Sequence, residues 1–311
     1  MPKYPLTPEA CSEAWIDYCR NEDHLLKKTI VGYQDRAKIV INTMLDHDRE
    51  PLPYKWTKED VEFFVDYQLK EKELRVKTVL GYHSVFTLLA EFYGNFEPSR
   101  TYIKWPEDLT SYRRWLELPD ARKVSAWPKT PKQAIGIDLM LRMGRRRCEC
   151  IRANIDDFII TERQQDMIVD GKGHKKFMMP FAPNFDKRLC DYLDNYRWPL
   201  VLESFNDHVR KAEAFKPLII ARHKNNTYGR YDEIKGTGYD KVITNAVSAD
   251  CGIFFTNHDL RRTFGRELFY TSKVDIVTIM NYYNHANTEE TLYYIGADKR
   301  RMSEEIQKIP F

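Results

Sequence analysis

Apolar residues recur at the spacing of an α-helix through most of the first 95 residues, and this period limits the fold more than any other feature of the chain. Two of these segments open with helix-capping signals. One is Thr7-Pro8, and the other is Thr57 with Asp60 three residues later. We therefore predict a helical domain of four amphipathic helices over residues 1–95.

The stretch 96–106 interrupts this helical period. It contains Pro98 and Pro106 and shows no regular apolar spacing, so we predict a linker there. A chain of 311 residues exceeds the size at which single cores usually stop growing. We therefore expect a second domain over residues 107–311, with its first helix around residues 111–118.

The second domain carries strand signals between its helical segments. Three short apolar stretches, Phe158–Thr161, Met167–Asp170 and Phe177–Phe181, read as strands. The last two flank Gly171-Lys172-Gly173-His174, which is typical of a hairpin turn. Helical spacing returns afterwards, so we predict a mainly α protein with a small β-hairpin sheet, of the α+β class.

Bulk composition excludes several classes of protein. The sequence has no apolar run long enough to span a bilayer and no apolar core of a signal peptide near its start. Its six cysteines are scattered without the pattern of a secreted disulfide scaffold, which suits free thiols in a reducing cytoplasm. Their spacings also match no zinc-binding pattern. A formal net charge of +3 is too small to indicate nucleic acid by itself. Any DNA-binding face must therefore come from local clustering.

A spaced series of basic residues ends in a tyrosine near the C-terminus. Its members, in chain order, are Arg146, Lys172, His258, Arg261, His285 and Tyr294. Arginines can hold phosphate oxygens with paired N–H donors, a lysine can protonate a departing oxygen, and a tyrosine can act as nucleophile. The series therefore suits metal-free attack on a phosphodiester. Each residue alone would also suit an ordinary surface or packing position.

Taken together, these residues resemble the catalytic domain of the tyrosine recombinase (phage integrase) family over about residues 107–311. That family shows Thr-Gly-Leu-Arg-x-x-Glu-Leu, Gly-Lys-Gly on a hairpin, His-x-Leu-Arg-His, Leu-Gly-His and a final Thr-Thr-x-x-Tyr. The matching segments here are Gly144-Arg145-Arg146-Arg147-Cys148-Glu149, Gly171-Lys172-Gly173, His258-Asp259-Leu260-Arg261-Arg262, Tyr283-Asn284-His285 and Thr291-Leu292-Tyr293-Tyr294. The spacings select Arg146 among three consecutive arginines and Tyr294 over Tyr293. Tyr283-Asn284 departs from the family's Leu-Gly.

The resemblance implies a role for each residue of the series. Tyr294 would attack the scissile phosphate and form a 3′-phosphotyrosine, without metal, ATP or any other cofactor. Arg146 and Arg261 would hold the non-bridging oxygens with help from His285. Lys172 would protonate the leaving oxygen, and His258 would assist proton transfer or orient the phosphate. Glu149 would support the arginine-bearing helix.

The resemblance also implies partners and organisation. The partners would be double-stranded DNA with specific recombination sites and further copies of the chain, giving a tetramer on DNA in the cytoplasm, at the nucleoid. Residues 1–95 would form a core-binding domain that clamps the DNA, and the tail 299–311 could pack on its own domain or on a neighbour. Two alternatives stay open at this point: a type IB topoisomerase, and a non-catalytic DNA-binding protein derived from a recombinase.

Overall fold

The structure is a computed structural model, and it describes residues 4–23, 25–106, 114–171, 176–222 and 231–296. Contacts between residues divide the chain into two compact units, Met1–Tyr112 and Arg113–Phe311. None of the helices in these described ranges is both long and apolar enough to cross a membrane. This division lies a few residues after the start of the second domain expected at residue 107, and the expected domain boundaries stay a prediction.

The first unit is helical, as its apolar period predicts. Its helices are α1 Pro8–Asn21, α2 Lys27–Asp46, α3 Lys58–Asp66, α4 Val76–Phe92 and α5 Glu97–Arg100. Thr7 caps α1 by accepting a hydrogen bond from the backbone of Ala10, and Thr57 and Asp60 form the predicted reciprocal box at the start of α3. A short side chain at the third helical position therefore suffices to close this box, although Glu or Gln is the usual residue.

Residues 96–106 pack against the first unit. Pro98 is buried, and Ile103 and Trp105 contact the core formed by α1 to α4. The Trp105 ring meets the ring of His83 edge-on at 5.4 Å. The segment predicted as a linker is thus anchored by apolar contacts along most of its length, and its role as a linker remains a prediction.

The second unit combines helices with two small sheets. Its helices are α6 Leu118–Ala126, α7 Pro131–Leu141, α8 Arg147–Arg152, α9 Phe185–Tyr192, α10 Trp198–Ser204, α11 Val209–Ala214, α12 Gly236–Tyr239, α13 Asn245–Cys251, α14 Asn257–Arg266, α15 Ile276–Tyr283 and α16 Thr288–Ile295. Its strands are β1 Phe158–Ile160, β2 Gln165–Asp170, β3 Lys176–Pro180, β4 Ile220–Arg222 and β5 Tyr231–Glu233. The predicted class, mainly α with a small sheet, is confirmed.

The three predicted strands form one antiparallel sheet in the order β1-β2-β3. Val169 pairs with Phe177, and Met167 pairs with Met179, so these side chains share the face that packs into the core. Lys172 lies between β2 and β3 in the sequence, outside the described residues. The sheet therefore confirms the two arms of the predicted hairpin, and the position of its lysine stays a prediction.

One helix predicted at the start of the second unit is wrong in its placement. Residues 114–117 are extended, and α6 begins only at Leu118, with Pro119 in its first turn. Proline favours the first turn of a helix because its missing N–H has no partner there in any case. The remainder of the predicted segment, residues 111–113, lies outside the described part of the chain.

Replacing Phe86 by alanine should destabilise the first unit. The Phe86 side chain is fully buried and its ring lies 4.0 Å from that of Trp56. Phe-to-Ala changes in cores lower the free energy of unfolding by about 3–5 kcal/mol. Urea unfolding followed by tryptophan fluorescence measures the change. Leu80→Ala, at a position of the same helix that is 40% exposed, is the control and should stay within about 1 kcal/mol of the parent.

Candidate active site

A tight turn at Gly144 sends three consecutive arginines in different directions. Gly144 adopts a φ of +59°, which L side chains rarely adopt. A Cβ built there would lie 2.4 Å from the ring of Phe264, so the position also lacks space for a side chain. After this turn, Arg145 and Arg146 both face Glu149, whereas Arg147 pairs with Asp240.

Arg145 is fully buried beside the site. Its Nε donates to the carbonyl of Met143 at 2.7 Å, and one Nη donates to the carbonyl of Tyr282 at 3.3 Å. The guanidinium also stacks over the Tyr282 ring at 4.7 Å. Its remaining Nη lies 4.0 Å from Glu149. Arg145 therefore ties the arginine turn to the end of α15.

Glu149 is the carboxylate on which the arginines converge. Its side chain is 1% exposed, and its two oxygens accept hydrogen bonds from the backbone N–H and the guanidinium of Arg146 at 2.8 and 2.9 Å. Arg261 Nη1 lies 3.6 Å from the same carboxylate. Burial alone would raise the pKa of Glu149, but Arg261 and Arg145 outweigh this effect and lower it. Glu149 is therefore charged at neutral pH.

Arg147, the third arginine, points away from Glu149. Its guanidinium pairs with Asp240, whose other oxygen accepts a hydrogen bond from the side chain of Asn257 at 2.6 Å. Asparagine is a common helix-capping residue, but Asn257 is the first residue of α14 and not its cap. Thr256 is the cap, with Asp259 completing the reciprocal box. The amide of Asn257 is engaged with Asp240 instead, and so fixes the start of the helix through a different contact.

Helix α14 places His258 and Arg261 on one face, as their spacing predicts. Leu260 between them is fully buried in the core. The Arg261 side chain is 1% exposed, and its Nη atoms donate to the carbonyls of Gly144 at 2.5 Å and Tyr283 at 3.2 Å. Its Nε is buried without a hydrogen-bond partner among the described residues.

Asn284 stands where the family has glycine, at a position that requires a left-handed backbone conformation. It ends α15 in the left-handed conformation, with φ 51° and ψ 51°. Asparagine tolerates this conformation better than most residues with a side chain. The next residue, His285, then donates its backbone N–H to the carbonyl of Met280 at 3.1 Å. The turn therefore keeps the geometry that brings His285 back toward the site.

His285 is buried and oriented by Thr291. Its Nδ1 lies 3.0 Å from the hydroxyl of Thr291, which is itself fully buried. If Thr291 donates this hydrogen bond, the proton of the neutral imidazole sits on Nε2, where it can be donated to a ligand. Burial first, and then the charge of Arg261, lowers the pKa of His285 to about 4. The ring is therefore neutral at physiological pH.

Tyr294, and not the adjacent Tyr293, faces these groups. Its hydroxyl lies 3.4 Å from Nδ1 of His258, and its ring lies 5.4 Å from that of His285. The guanidinium carbon of Arg261 is 5.6 Å from the ring centre. Tyr293 is 55% exposed and points elsewhere. Burial raises the pKa of Tyr294 although Arg261, Arg262 and Arg146 oppose this, so a nearby group must accept its proton during an attack.

His258 is suited to accept that proton. Burial first, and then Arg262 and Arg261, lower its pKa, so the imidazole is neutral and one ring nitrogen carries a free lone pair. Nδ1 already lies within 3.4 Å of the Tyr294 hydroxyl. Tyr294 and His258 could therefore act as a nucleophile and its base, and a small movement would shorten the distance between the hydroxyl and Nδ1.

The structure thus brings together five of the six predicted catalytic residues with their predicted support. They are Arg146, His258, Arg261, His285 and Tyr294, and the support is Glu149. The sixth, Lys172, lies outside the described residues. Their roles stay proposals, because convergence shows proximity and not chemistry.

Sequence reasoning missed three residues of this site. The run of three arginines is a signal for Arg145, but such runs usually face solvent and so do not indicate a buried residue. Arg262 stacks on the Tyr294 ring at 5.3 Å, a contact that only the fold creates. Thr291 was matched only as part of the final motif. Its hydrogen bond with His285 depends on the turn at Asn284.

Comparisons with known proteins agree with this geometry. A family model described as the phage integrase family matches residues 116–301, which is more than half of the chain. No protein in the curated sequences matches the chain.

Several solved structures share the fold. One is a lambda integrase fragment in a dimer bound to a COC′ core site (TM-score 0.65, 13% identity), covering 92% of this chain and 94% of that one. Another is XerH site-specific recombinase bound to difH substrate (0.63, 15%), covering 96% and 84%. A third is a lambda integrase tetramer bound to a Holliday junction (0.62, 12%), covering 93% and 77%. At these identities the likeness establishes the fold alone.

Replacing Glu149 by glutamine should destabilise the second unit. The change leaves buried Arg145 and Arg261 without their shared carboxylate, and breaking such a buried pair typically costs about 3–5 kcal/mol. Because the pKa of Glu149 is depressed in the folded state, its contribution is present at neutral pH and is lost on acidification. Urea unfolding at pH 7 and at lower pH measures both effects. Glu203→Gln, an exposed position of α10, is the control; an equal effect of both changes would contradict this account.

The free protein should hold His285 neutral well below pH 6. An ordinary histidine titrates near 6.5, whereas burial and Arg261 place the pKa of His285 at about 4. NMR of ¹³C-labelled histidine across pH 3–8, with His285→Gln to assign the signal, measures the midpoint. A midpoint near 6.5 would show that the ring is solvated and not enclosed among the arginines.

Proposed function

We propose a mechanism for this chain, which belongs to the phage integrase family and is a tyrosine recombinase. Its substrate is DNA carrying specific recombination sites, and Tyr294 cleaves one strand to form a 3′-phosphotyrosine with a free 5′-hydroxyl. The covalent bond retains the energy of the phosphodiester, so rejoining needs no ATP. The observation that carries the proposal is the position of Arg146 and Arg261 on one carboxylate beside the Tyr294–His258 pair.

Arg146 and Arg261 are assigned to the non-bridging oxygens of the scissile phosphate. Arg146 is 26% exposed, so its guanidinium can reach a ligand while it stays bonded to Glu149. Arg261 offers a buried Nε that lacks a partner among the described residues, and a phosphate oxygen would satisfy it. Removing one such preorganised donor lowers rates by about 10²–10³-fold.

The two histidines have different tasks in this mechanism. His258 accepts the proton of the Tyr294 hydroxyl as the phenol attacks phosphorus. His285 donates from Nε2 to a phosphate oxygen, in the tautomer whose Nδ1 accepts a hydrogen bond from the Thr291 hydroxyl. Lys172, which follows β2 in the sequence, protonates the leaving 5′-oxygen, a role carried over from the family. In the reverse steps, a new 5′-hydroxyl attacks the 3′-phosphotyrosine, which reseals the strand and releases Tyr294.

Local charge supports a polyanionic substrate although the net charge of the chain is small. Around Tyr294, the guanidiniums of Arg145, Arg146, Arg261 and Arg262 face the carboxylates of Glu149 and Asp259, and the carboxylate of Glu290 acts on His285. A cleft with excess positive charge concentrates DNA phosphates and makes binding depend strongly on salt. The helical unit Met1–Tyr112 is assigned to clamping the duplex.

Assembly as a tetramer on two DNA sites completes the proposal. The structure of a tetramer on a Holliday junction belongs to a protein that shares this fold at 12% identity. Recombination exchanges strands between two duplexes, and four active sites suffice for the four strands. The tail 299–311, which lies outside the described residues, is proposed to contact a neighbouring copy.

Tyr294→Phe should abolish covalent attachment to DNA, because phenylalanine fits the same space but has no hydroxyl to attack phosphorus. The assay incubates the protein with nicked duplexes drawn from the DNA that flanks its gene, and detects the protein–DNA adduct on a denaturing gel. Tyr293→Phe, at the exposed neighbour, is the matched control and should retain the adduct.

An adduct that persists with Tyr294→Phe would overturn the assignment of the nucleophile. Relaxation of supercoiled DNA without sequence preference or a partner site would instead favour type IB topoisomerase activity. Retention of adduct formation with loss of strand exchange in a chain lacking residues 302–311 would support the role of the tail in assembly.

A further inference from the structure

The helix that carries Tyr294 is short, and the tyrosine lies near its end. Helix α16 spans eight residues, and Tyr294 is the last but one. Isolated helices of this length are marginal in water, and their terminal turns fray first. The position of the nucleophile therefore depends on whatever holds the C-terminal turn of α16.

Arg266, at the end of α14, contacts that turn. Its Nη1 donates to the carbonyl of Ile295, the last residue of α16, at 2.8 Å. A cation at this point satisfies a carbonyl that has no partner within the helix, and it interacts favourably with the negative end of the helix dipole. Arg266 itself is only 8% exposed. The guanidinium thus caps the helix one residue after Tyr294.

Trp115 holds Arg266 in this position. The guanidinium carbon of Arg266 lies 3.8 Å from the centre of a Trp115 ring, and it lies 4.8 Å from the ring of Tyr270. An arginine with stacked faces has little rotamer freedom, and cation–π attraction strengthens when the pair is shielded from water. Trp115 therefore fixes the donor that caps α16.

Trp115 also contacts the end of α16 directly. Gly296 closes the helix at a φ of +69°, and a Cβ built there would lie 2.8 Å from Trp115 Cζ3. The indole consequently covers the turn by which the chain leaves α16. The residue after Trp115 is anchored as well, since the backbone N–H of Leu116 donates to the hydroxyl of Thr263 on α14 at 2.8 Å.

We propose that Trp115 is a positioning residue for the nucleophile: stacked on Arg266 and packed against Gly296, it sets the place of Tyr294 relative to the scissile phosphate. The inference rests on the proposed role of Tyr294. Trp115 touches neither the phosphate-binding arginines nor the Tyr294 ring in the contacts above, so its effect is transmitted through the end of α16. A displacement of about 1 Å at a reacting atom can lower a rate about 100-fold.

The test compares three substitutions in the full-length chain. Trp115→Leu keeps an apolar side chain but removes the aromatic face under Arg266, whereas Trp115→Phe retains that face. Both lose the hydrogen bond that Trp115 Nε1 donates to Glu117, so the comparison isolates the stacking. Trp127→Leu is the control for the same change at another tryptophan of the second unit, one that is 40% exposed.

The readouts are the single-turnover rate of adduct formation at saturating nicked DNA, the dissociation constant for that DNA, and the melting temperature. Trp115→Leu should lower the rate by about 10–100-fold while the dissociation constant stays within about twofold. Trp115→Phe and Trp127→Leu should stay within about threefold of the parent rate. A rate for Trp115→Leu equal to that of the parent, or an equal loss for Trp115→Phe, would overturn the proposal.

Two further variants keep the outcome interpretable. If Trp115→Leu does not fold, Arg266→Lys tests the same contact, because lysine keeps the charge but loses the planar face; it should reduce the rate in the same range. A parent-like rate for Arg266→Lys would then reject the proposal. Tyr294→Phe runs in parallel: adduct formation by that variant would overturn the proposed function, whereas its inactivity beside a fully active Trp115→Leu would overturn this inference alone.

Discussion

Glu149 is a single buried carboxylate within 4.0 Å of three guanidinium groups, and the arrangement of the active site follows from it. Arg146 comes from the turn after α7, and Arg261 comes from α14, more than a hundred residues later. Two cations repel each other at close range, and the shared carboxylate offsets this repulsion, while the carbonyls of Gly144 and Tyr283 also hold Arg261. The excess positive charge that remains is what a phosphodiester would neutralise. In the proposed mechanism, the charge of these buried arginines would bind the phosphate.

The arginine cluster also sets the protonation states around it. Positive charge, together with burial, keeps His258 and His285 neutral, so one can accept a proton while the other donates a hydrogen bond. The same charges oppose the effect of burial on Tyr294 and would stabilise its phenolate as it forms. In the proposed mechanism, phosphate binding and activation of Tyr294 would therefore depend on the same arginine charges.

Much of the fold and site could be predicted from the sequence because the relevant signals are local. The caps at Thr7 and Thr57, the arms of the hairpin and the shared face of His258 and Arg261 each depend on residues within one helix or turn. The errors arose where distant contacts decide the outcome. Thr256 rather than Asn257 caps α14, and the amide of Asn257 donates to Asp240, a partner that no spacing in the sequence reveals. Arg145 is buried because Tyr282 and Glu149 surround it, although a run of arginines usually faces water. Trp115 and Arg266 meet across more than 150 residues.

In the proposed mechanism these separate groups surround one phosphodiester, with Tyr294 in line for attack. A crystal structure of the protein with a nicked DNA duplex and orthovanadate would show this arrangement, because vanadate takes the geometry of the phosphoryl transition state. We expect the Tyr294 oxygen at an apical position and the guanidiniums of Arg146 and Arg261 on equatorial oxygens. Vanadate held by other side chains, or a different residue at the apical position, would contradict it.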